Sequence, residues 1–165
     1  MQALEPFDVF AIRYAHLGGR HAAENFIGAD PHEEASDLDY FVWLIRRGDA
    51  CFVVDTGFAA PAAARRGREL LRCPAQSLRL LGVDAQRVGD VIVTHLHYDH
   101  AGNLDKFPKA RFHVQDREMA YATGRCMCHA PLRHAFDLDD TLQMVRHVYD
   151  GRVAFHDGDV ELAPA

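Results

Sequence analysis

The chain has 165 residues, of which 48% are hydrophobic and 25% are charged, a composition typical of one globular domain. Its net charge of −6 argues against nucleic acid as a partner, because phosphate binding requires basic patches. No apolar run approaches the roughly 20 residues of a membrane span, and the N-terminus lacks the pattern of a signal peptide. We therefore expect a cytoplasmic protein that binds neither membranes nor nucleic acid.

The first half of the chain mixes predicted strands and helices. Alternating apolar residues predict strands, whereas a proline near the first position and a glycine after the last one predict helices. In chain order these elements are a strand at 7–15, a loop at 16–37, two strands at 38–46 and 50–55 joined by a turn at 47–49, and helices at 61–72 and 74–81.

The second half continues in the same way. Its predicted elements are strands at 91–93 and 110–114, a helix at 116–123, an irregular segment at 126–136, a helix at 138–149, and a hairpin with strands at 152–155 and 160–162. Leu138, Leu142, Val145 and Tyr149 have the spacing of a helix face that packs on a sheet. We therefore expect this face to be buried.

Four cysteines are present, and in a cytosolic chain they are expected to be reduced thiols. Cys126-Met127-Cys128-His129 offers the donor types of a soft metal site. Its spacing is tighter than Cys-x-x-Cys, and the other two cysteines, Cys51 and Cys73, form no second pair of this kind. A loop with buried or facing thiols is therefore the preferred interpretation.

The densest chemical signal follows the apolar run at 91–93. His95, His97, Asp99 and His100 place three imidazoles and a carboxylate within six residues, and these are ligand types that suit zinc. His95 and His97 are two residues apart, so on an extended backbone both would face one metal. Asp99 and His100 would face a second metal about 3.5–4 Å from the first. A polar surface loop is the alternative, disfavoured because the cluster directly follows a buried strand.

Asp55-Thr56-Gly57 ends the predicted strand at 50–55. Metal-binding histidines need an outer partner that fixes their tautomer, so Asp55 is a candidate to support the ligands from behind. The alternative is an aspartate that caps the turn before Gly57, and the two roles are compatible.

The motif His-x-His-x-Asp-His, matched in full by residues 95–100, resembles the signature of the metallo-β-lactamase superfamily. The longer text Thr-His-Leu-His-Tyr-Asp-His-Ala-Gly-Asn-Leu is similar to the N-acyl homoserine lactonase branch. The resemblance implies an α/β (α+β) fold, the metallo-β-lactamase-like αββα sandwich. It also implies that Asp55 supports the metal loop from below.

The same resemblance indicates that the chain holds only the N-terminal portion of this fold, a single domain over 1–165 that is incomplete at the C-terminus. A complete member supplies a third His, a bridging Asp, a further His and, in the lactonases, a Tyr, and no segment here matches them. The alternative is a chain that ends here and covers its open sheet by oligomerising. The family also implies a homodimer.

The resemblance further implies a metal-dependent hydrolase that opens a lactone ester ring, such as that of an N-acyl homoserine lactone, in quorum quenching. A metal-bound hydroxide would attack the ester, with two zinc ions per complete site, although iron, manganese or cobalt suit the same ligands. Asp99 is also a candidate catalytic residue that passes a proton to the leaving alkoxide. The alternatives are a β-lactam, glutathione thioester, phosphodiester or sulfate ester substrate, or a non-catalytic relic of the fold.

Overall fold

The computed structural model describes residues 5–30, 32 and 36–163. The strands are β1 (Asp8–Leu17), β2 (Leu38–Arg47), β3 (Ala50–Val54), β4 (Glu69–Leu70), β5 (Asp90–Ile92), β6 (Arg111–Gln115) and β7 (Val153–His156). The α-helices are α1 (Ala22–Asn25), α2 (Ala60–Arg66), α3 (Pro74–Ser77), α4 (Tyr98–Ala101), α5 (Asp116–Thr123), α6 (Ala130–Arg133) and α7 (Leu138–Tyr149). Short 3₁₀-helices lie at Leu78–Leu81, Ala85–Arg87, Leu104–Lys106 and Arg125–Cys128.

All seven strands form one mixed sheet in the order β4-β1-β2-β3-β5-β6-β7. The pairs β4–β1, β1–β2 and β2–β3 are antiparallel, whereas β3–β5, β5–β6 and β6–β7 are parallel. The carboxyl ends of parallel strands meet at one edge of a sheet, which is where such folds place their ligands. The residues that follow β3, β5 and β6 therefore lie close together.

One face of the sheet carries the core. Side chains that share this face in neighbouring strands, such as Leu44, Val53, Val91 and Phe112, are at most 1% exposed. The opposite face is also apolar near β1 and β2, but Val9, Phe41 and Trp43 are 61%, 38% and 41% exposed. The described residues thus cover one face of this sheet and leave the other open near β1 and β2.

The strands predicted at 7–15, 38–46, 50–55, 91–93, 110–114 and 152–155, and the helices at 116–123 and 138–149, are confirmed to within two residues. The helix predicted at 61–72 is wrong beyond Arg66. Gly67 ends that helix in the left-handed conformation, at φ 63°, and Glu69 and Leu70 then pair with β1. The helix predicted at 74–81 is α-helical only to Ser77 and continues as a 3₁₀-helix.

Two segments predicted as irregular contain short helices. Helix α1 lies in the loop predicted at 16–37, of which residues 31 and 33–35 lie outside the described residues. Segment 126–136 contains α6 and most of a 3₁₀-helix. These turns have only four residues each, too few to give a detectable hydrophobic period.

The C-terminal hairpin prediction is wrong in its second strand. Residues 160–162 pair with no strand of the described part of the chain, and β7 joins β6 in parallel instead. The side-chain amide of Gln115 accepts a hydrogen bond from Gly158 N at 3.1 Å and donates one to Gly158 O at 3.0 Å. These two hydrogen bonds hold the turn against the end of β6.

The prediction for the face of α7 is also wrong. Leu138, Leu142 and Tyr149 are 72%, 40% and 89% exposed, whereas Thr141 and Met144 are buried. The helix therefore presents a different side to the core, since periodicity locates an apolar stripe but does not say what covers it. Across the described residues no helix is both long and apolar enough to cross a bilayer.

Candidate metal centre

The His/Asp loop (Thr94–Asn103) begins where β5 ends and contains α4. It brings the four predicted metal ligands together. The ring centroids of His95 and His97 are 4.4 Å apart, and those of His95 and His100 are 3.8 Å apart. His100 Nε2 lies 3.4 Å from Asp99 Oδ2, so an imidazole and a carboxylate are available side by side.

Asp55, the predicted support residue, lies directly beneath this loop and is 4% exposed. Its Oδ1 accepts hydrogen bonds from Thr94 N at 2.8 Å and Thr94 Oγ1 at 2.9 Å. Its Oδ2 lies 2.7 Å from His100 Nδ1. The Asp55 carboxylate requires a proton on Nδ1, so Nε2 is the nitrogen through which His100 would bind a metal. Asp55 thus orients His100 and fixes the start of the loop.

The backbone of Asp55 is itself unusual, with φ at 62° in the left-handed region. Non-glycine residues rarely adopt this conformation, although Asp and Asn tolerate it better than most. The next residues, Thr56 and Gly57, bond the far end of the His/Asp loop. Thr56 N donates to His100 O at 2.7 Å, and Gly102 N donates to Gly57 O at 2.7 Å. The strained turn therefore binds both ends of the loop.

Gly102 has no room for a side chain. A Cβ at this position would lie 2.8 Å from Gly57 O and 2.9 Å from Phe58 Cα, both backbone atoms. The two segments approach this closely only because residue 102 is glycine.

Tyr14 supports the loop from β1, a role that sequence reasoning missed. Its hydroxyl donates to Asp99 O at 2.8 Å, and its side chain is fully buried. Burial raises the pKa of the phenol, so the hydroxyl stays protonated as a donor. No local signal distinguishes this tyrosine from an ordinary core residue, because its partner is 85 positions away.

The cover segment (residues 133–137) lies over the other side of the His/Asp loop. Tyr98 N donates to Ala135 O at 2.9 Å, and His97 and Phe136 form an isolated antiparallel bridge. The two rings of that bridge meet edge to face, with centroids 4.7 Å apart. The arrangement restrains the His97 ring on its outer side.

Arg66 at the end of α2 holds the cover segment in place. Its guanidinium lies 3.8 Å from the centroid of the Tyr98 ring and 2.8 Å from Asp137 Oδ1. It also donates to the carbonyl oxygens of His134 at 2.9 Å and Phe136 at 3.4 Å. One side chain thus connects a helix, the cover segment and the loop.

The electrostatics divide the four candidate ligands into two pairs. Burial lowers the pKa of His95 and His97, which favours the neutral imidazole that binds metals. Burial also opposes the charged form of His100, but bonds to Asp55 and Asp99 outweigh it and raise the pKa to about 9. For Asp99, burial is outweighed by the hydrogen bond from His100, so its pKa is lowered and it is a carboxylate.

The donor types of this cluster are those that zinc binds, and a metal at His100 Nε2 would displace the proton that this nitrogen carries at the raised pKa. Within residues 5–30, 32 and 36–163, however, no group of three or more His, Cys, Asp or Glu side chains is arranged to hold a metal as it stands. The side chains of the Cys126–His129 segment form no such group either. Cys126 is partly buried, Cys128 is exposed, and both are free thiols.

Comparison with known proteins identifies the family. The family described as the metallo-beta-lactamase superfamily matches residues 36–156. Among curated relatives, a hydroxyacylglutathione hydrolase of Dechloromonas aromatica is 34% identical over 104 residues, which are 61% of this chain and 32% of the relative. The N-acyl homoserine lactonase AiiB of Agrobacterium fabrum is 31% identical over 110 residues, or 53% of this chain and 38% of the relative.

A third relative, the N-acyl homoserine lactonase AttM of Azorhizobium caulinodans, is 46% identical over 55 residues, 33% of this chain and 20% of the relative. Among solved structures, a quorum-quenching N-acyl homoserine lactone lactonase superposes with a TM-score of 0.71 at 20% identity. That match covers 99% of this chain and 62% of the lactonase.

The structural likeness confirms the predicted fold, the N-terminal portion of the metallo-β-lactamase sandwich, while the chain spans less than two fifths of each of these three curated relatives. The family match extends over most of the sequence and contains both Asp55 and the complete His-x-His-x-Asp-His motif. The chain therefore belongs to the metallo-beta-lactamase superfamily.

Proposed function

We propose that this chain supplies the N-terminal part of the metal centre of a hydrolase that opens lactone rings, with N-acyl homoserine lactones as the substrate class. The observation that carries the proposal is the convergence of three imidazoles and a carboxylate over Asp55. The relatives named as N-acyl homoserine lactonases support the choice of substrate.

We assign His95 and His97 to a first metal and Asp99 and His100 to a second. Zinc is the preferred metal, with about two ions per complete site, and iron, manganese or cobalt would suit the same donors. When bound, the metals would lower the pKa of water and polarise the ester carbonyl. The remaining ligands have to come from outside the residues described, and a homodimer remains part of the proposal.

The chain's own residues would position and move protons. Asp55 holds His100 through Nδ1, so the ring keeps a fixed orientation throughout the reaction. Asp99, a carboxylate with a lowered pKa, can accept a proton at Oδ2 and return it to the leaving alkoxide. Tyr14 fixes the backbone of Asp99 and thereby limits where that carboxylate can move.

Thioester hydrolysis is the second candidate, because the relatives named hydroxyacylglutathione hydrolases match as much of the chain as the lactonases do. The same ligands would serve either ester. The substrates differ in shape and charge, since a glutathione conjugate carries carboxylates that an acyl lactone lacks. The two candidates therefore predict the same metal content and different substrate preference.

The test is to measure zinc content by elemental analysis and to assay N-hexanoyl homoserine lactone against a glutathione thioester with the intact protein. Two zinc ions and a clear preference for the lactone would support the proposal. A preference for the thioester would replace it with the second candidate. No bound zinc, iron, manganese or cobalt and no hydrolysis of either substrate would identify a non-catalytic member of the family.

His97→Ala tests the ligand assignment and should lower lactone hydrolysis at least 100-fold, because a ligand is removed. His32→Ala is the matched control, since its side chain is 91% exposed and, within the part of the chain that the structure describes, bonds Asp30. Equal activity of the two variants would contradict the assignment of His97.

A further inference from the structure

Helix α5 contributes a carboxylate that neither the motif nor the assigned ligand set includes. Glu118 Oε1 accepts a hydrogen bond from Leu96 N at 2.7 Å. Leu96 separates the two histidines assigned to the first metal, and its own side chain is fully buried in the core. The contact therefore falls on the backbone between His95 and His97.

The topology explains why Glu118 reaches this point. Strands β5 and β6 are parallel neighbours, so their carboxyl ends, and the loop and helix that follow them, meet at one edge of the sheet. Gln115 is the N-cap of α5, and Glu118 is the third residue of that helix.

A glutamate at the third helical position often bonds the backbone N–H of its own N-cap residue. Glu118 instead bonds the N–H of Leu96, in a loop 22 positions away. Its carboxylate thus bonds the His/Asp loop in place of the N-cap of its own helix.

The geometry of the bond bears on both histidines. Leu96 N belongs to the peptide that joins His95 to Leu96, so its orientation sets how the flanking side chains project. Hydrogen bonds to an ionised acceptor are shorter and stronger than neutral ones, which suits 2.7 Å. The His100 side of the loop is already fixed by Asp55 and Tyr14, whereas Glu118 is the side chain that bonds the backbone between the first two ligands.

We propose that Glu118 is a positioning residue for the His95–His97 pair, fixing the Leu96 peptide so that both rings face the same cation. This inference rests on the ligand assignment in the proposed function. It adds a residue from a separate helix that touches neither metal nor substrate and acts only through the loop backbone.

The test compares Glu118→Ala with Glu118→Gln in the full chain. Glutamine keeps an oxygen that can accept from Leu96 N, whereas alanine removes the acceptor. Asp116→Ala is the matched control, because Asp116 is an exposed acid in the first turn of the same helix. Two quantities are measured: hydrogen exchange of the Leu96 amide in the metal-free protein, and Zn²⁺ affinity by competition with a chromophoric chelator.

We expect Glu118→Ala to expose the Leu96 amide to exchange and to weaken Zn²⁺ binding about 10- to 100-fold, the usual cost of losing an outer partner. Glu118→Gln should restore both properties to within about threefold, and Asp116→Ala should change neither. Thermal unfolding of each variant identifies a general loss of structure. If Glu118→Ala is unfolded, the proposal is judged on whether Glu118→Gln keeps the Leu96 amide protected and the Zn²⁺ affinity within about threefold.

Zn²⁺ affinity of Glu118→Ala equal to that of the unmodified chain would overturn the proposal, as would an unprotected Leu96 amide before any substitution. A Glu118→Gln variant as poor as Glu118→Ala would also overturn it. Neither amide exchange nor Zn²⁺ affinity depends on lactone hydrolysis. A wrong substrate assignment and a wrong role for Glu118 are therefore distinguishable. A parent chain that binds no Zn²⁺ would reject the ligand assignment together with this proposal.

Discussion

The His/Asp loop and helix α7 satisfy their buried polar groups very differently. The loop is bonded from three directions by buried or partly buried side chains, Asp55, Tyr14 and Glu118. The first turn of α7 instead buries Asp140, whose Oδ2 has no hydrogen-bond partner among the described residues. The loop backbone is therefore fixed by side chains from three elements, whereas one oxygen of the buried Asp140 carboxyl gains no hydrogen bond from the described residues in return for its burial.

Removal of the Asp55 carboxylate should lower the free energy of unfolding the most. Asp55→Ala leaves Thr94 N, Thr94 Oγ1 and His100 Nδ1 without their acceptor, so we expect the free energy of unfolding to fall by about 3–4 kcal/mol. Urea denaturation measures the change. Asp55→Asn keeps one acceptor oxygen and tolerates the positive φ, so it should lose less than Asp55→Ala. Equal losses would show that the carboxylate is not what fixes the loop.

Gly102→Ala should have the next largest effect. The added Cβ meets two backbone atoms at less than 3.0 Å, so the loop and the turn below it must separate, at a cost of about 2–3 kcal/mol. Gly48→Ala is the control, because its Cβ would meet nothing within 4 Å and only its positive φ is strained, costing about 1 kcal/mol. Thermal unfolding compares the two, and similar shifts in melting temperature would contradict the close approach.

Arg66 and Arg65 provide a matched pair on α2, because both guanidinium groups bond Asp137. The Arg66 side chain is 14% exposed and also bonds the cover segment, so Arg66→Ala should destabilise the chain by about 2 kcal/mol. The Arg65 side chain is 59% exposed, and Arg65→Ala should cost less than about 0.5 kcal/mol. Hydrogen exchange across residues 133–137 should rise only in the Arg66 variant. A rise in both would mean that the ion pair alone holds the segment.

Asp140→Asn should change the stability in the opposite direction. Burial, then repulsion from Asp137 and Asp139, raises the pKa of Asp140 to about 7. The folded state therefore holds this proton more tightly than the unfolded state, and stability falls as pH rises from about 4 to 7. Asparagine removes the ionisation, so the variant should be more stable than the parent at pH 8 and unchanged below pH 4. A gain independent of pH would contradict this cause.

The same contrast explains what the sequence could predict. His95, His97, Asp99, His100 and Asp55 are recognisable because their types and spacing follow from chemistry that needs them. Tyr14 and Glu118 bond backbone atoms of the loop, and a backbone N–H or C=O leaves no signature at the residue that supplies it. Their roles depend on tertiary pairings 85 and 22 positions apart.

The strands were predictable for a related reason, since alternation and β-branched runs directly reflect a pleated, half-buried surface. The exposed stripe of α7 and the predicted strand at 160–162, which does not form, show the limit of such patterns. An apolar helix face indicates that another surface can cover it, and a turn sequence indicates that the chain can reverse direction. Neither pattern specifies which surface packs on that face or which strand pairs after that turn.

The open face of the sheet gives the protein a built-in optical reporter. Trp43 is the only tryptophan in the chain, and it lies on that face, 41% exposed and 6.2 Å from the Phe41 ring. Indole emission moves to shorter wavelength when the ring leaves water. Any layer that docks on this face, from the same polypeptide or from another, should therefore shift the Trp43 fluorescence emission to shorter wavelength. This shift can be measured without a label and without an activity assay.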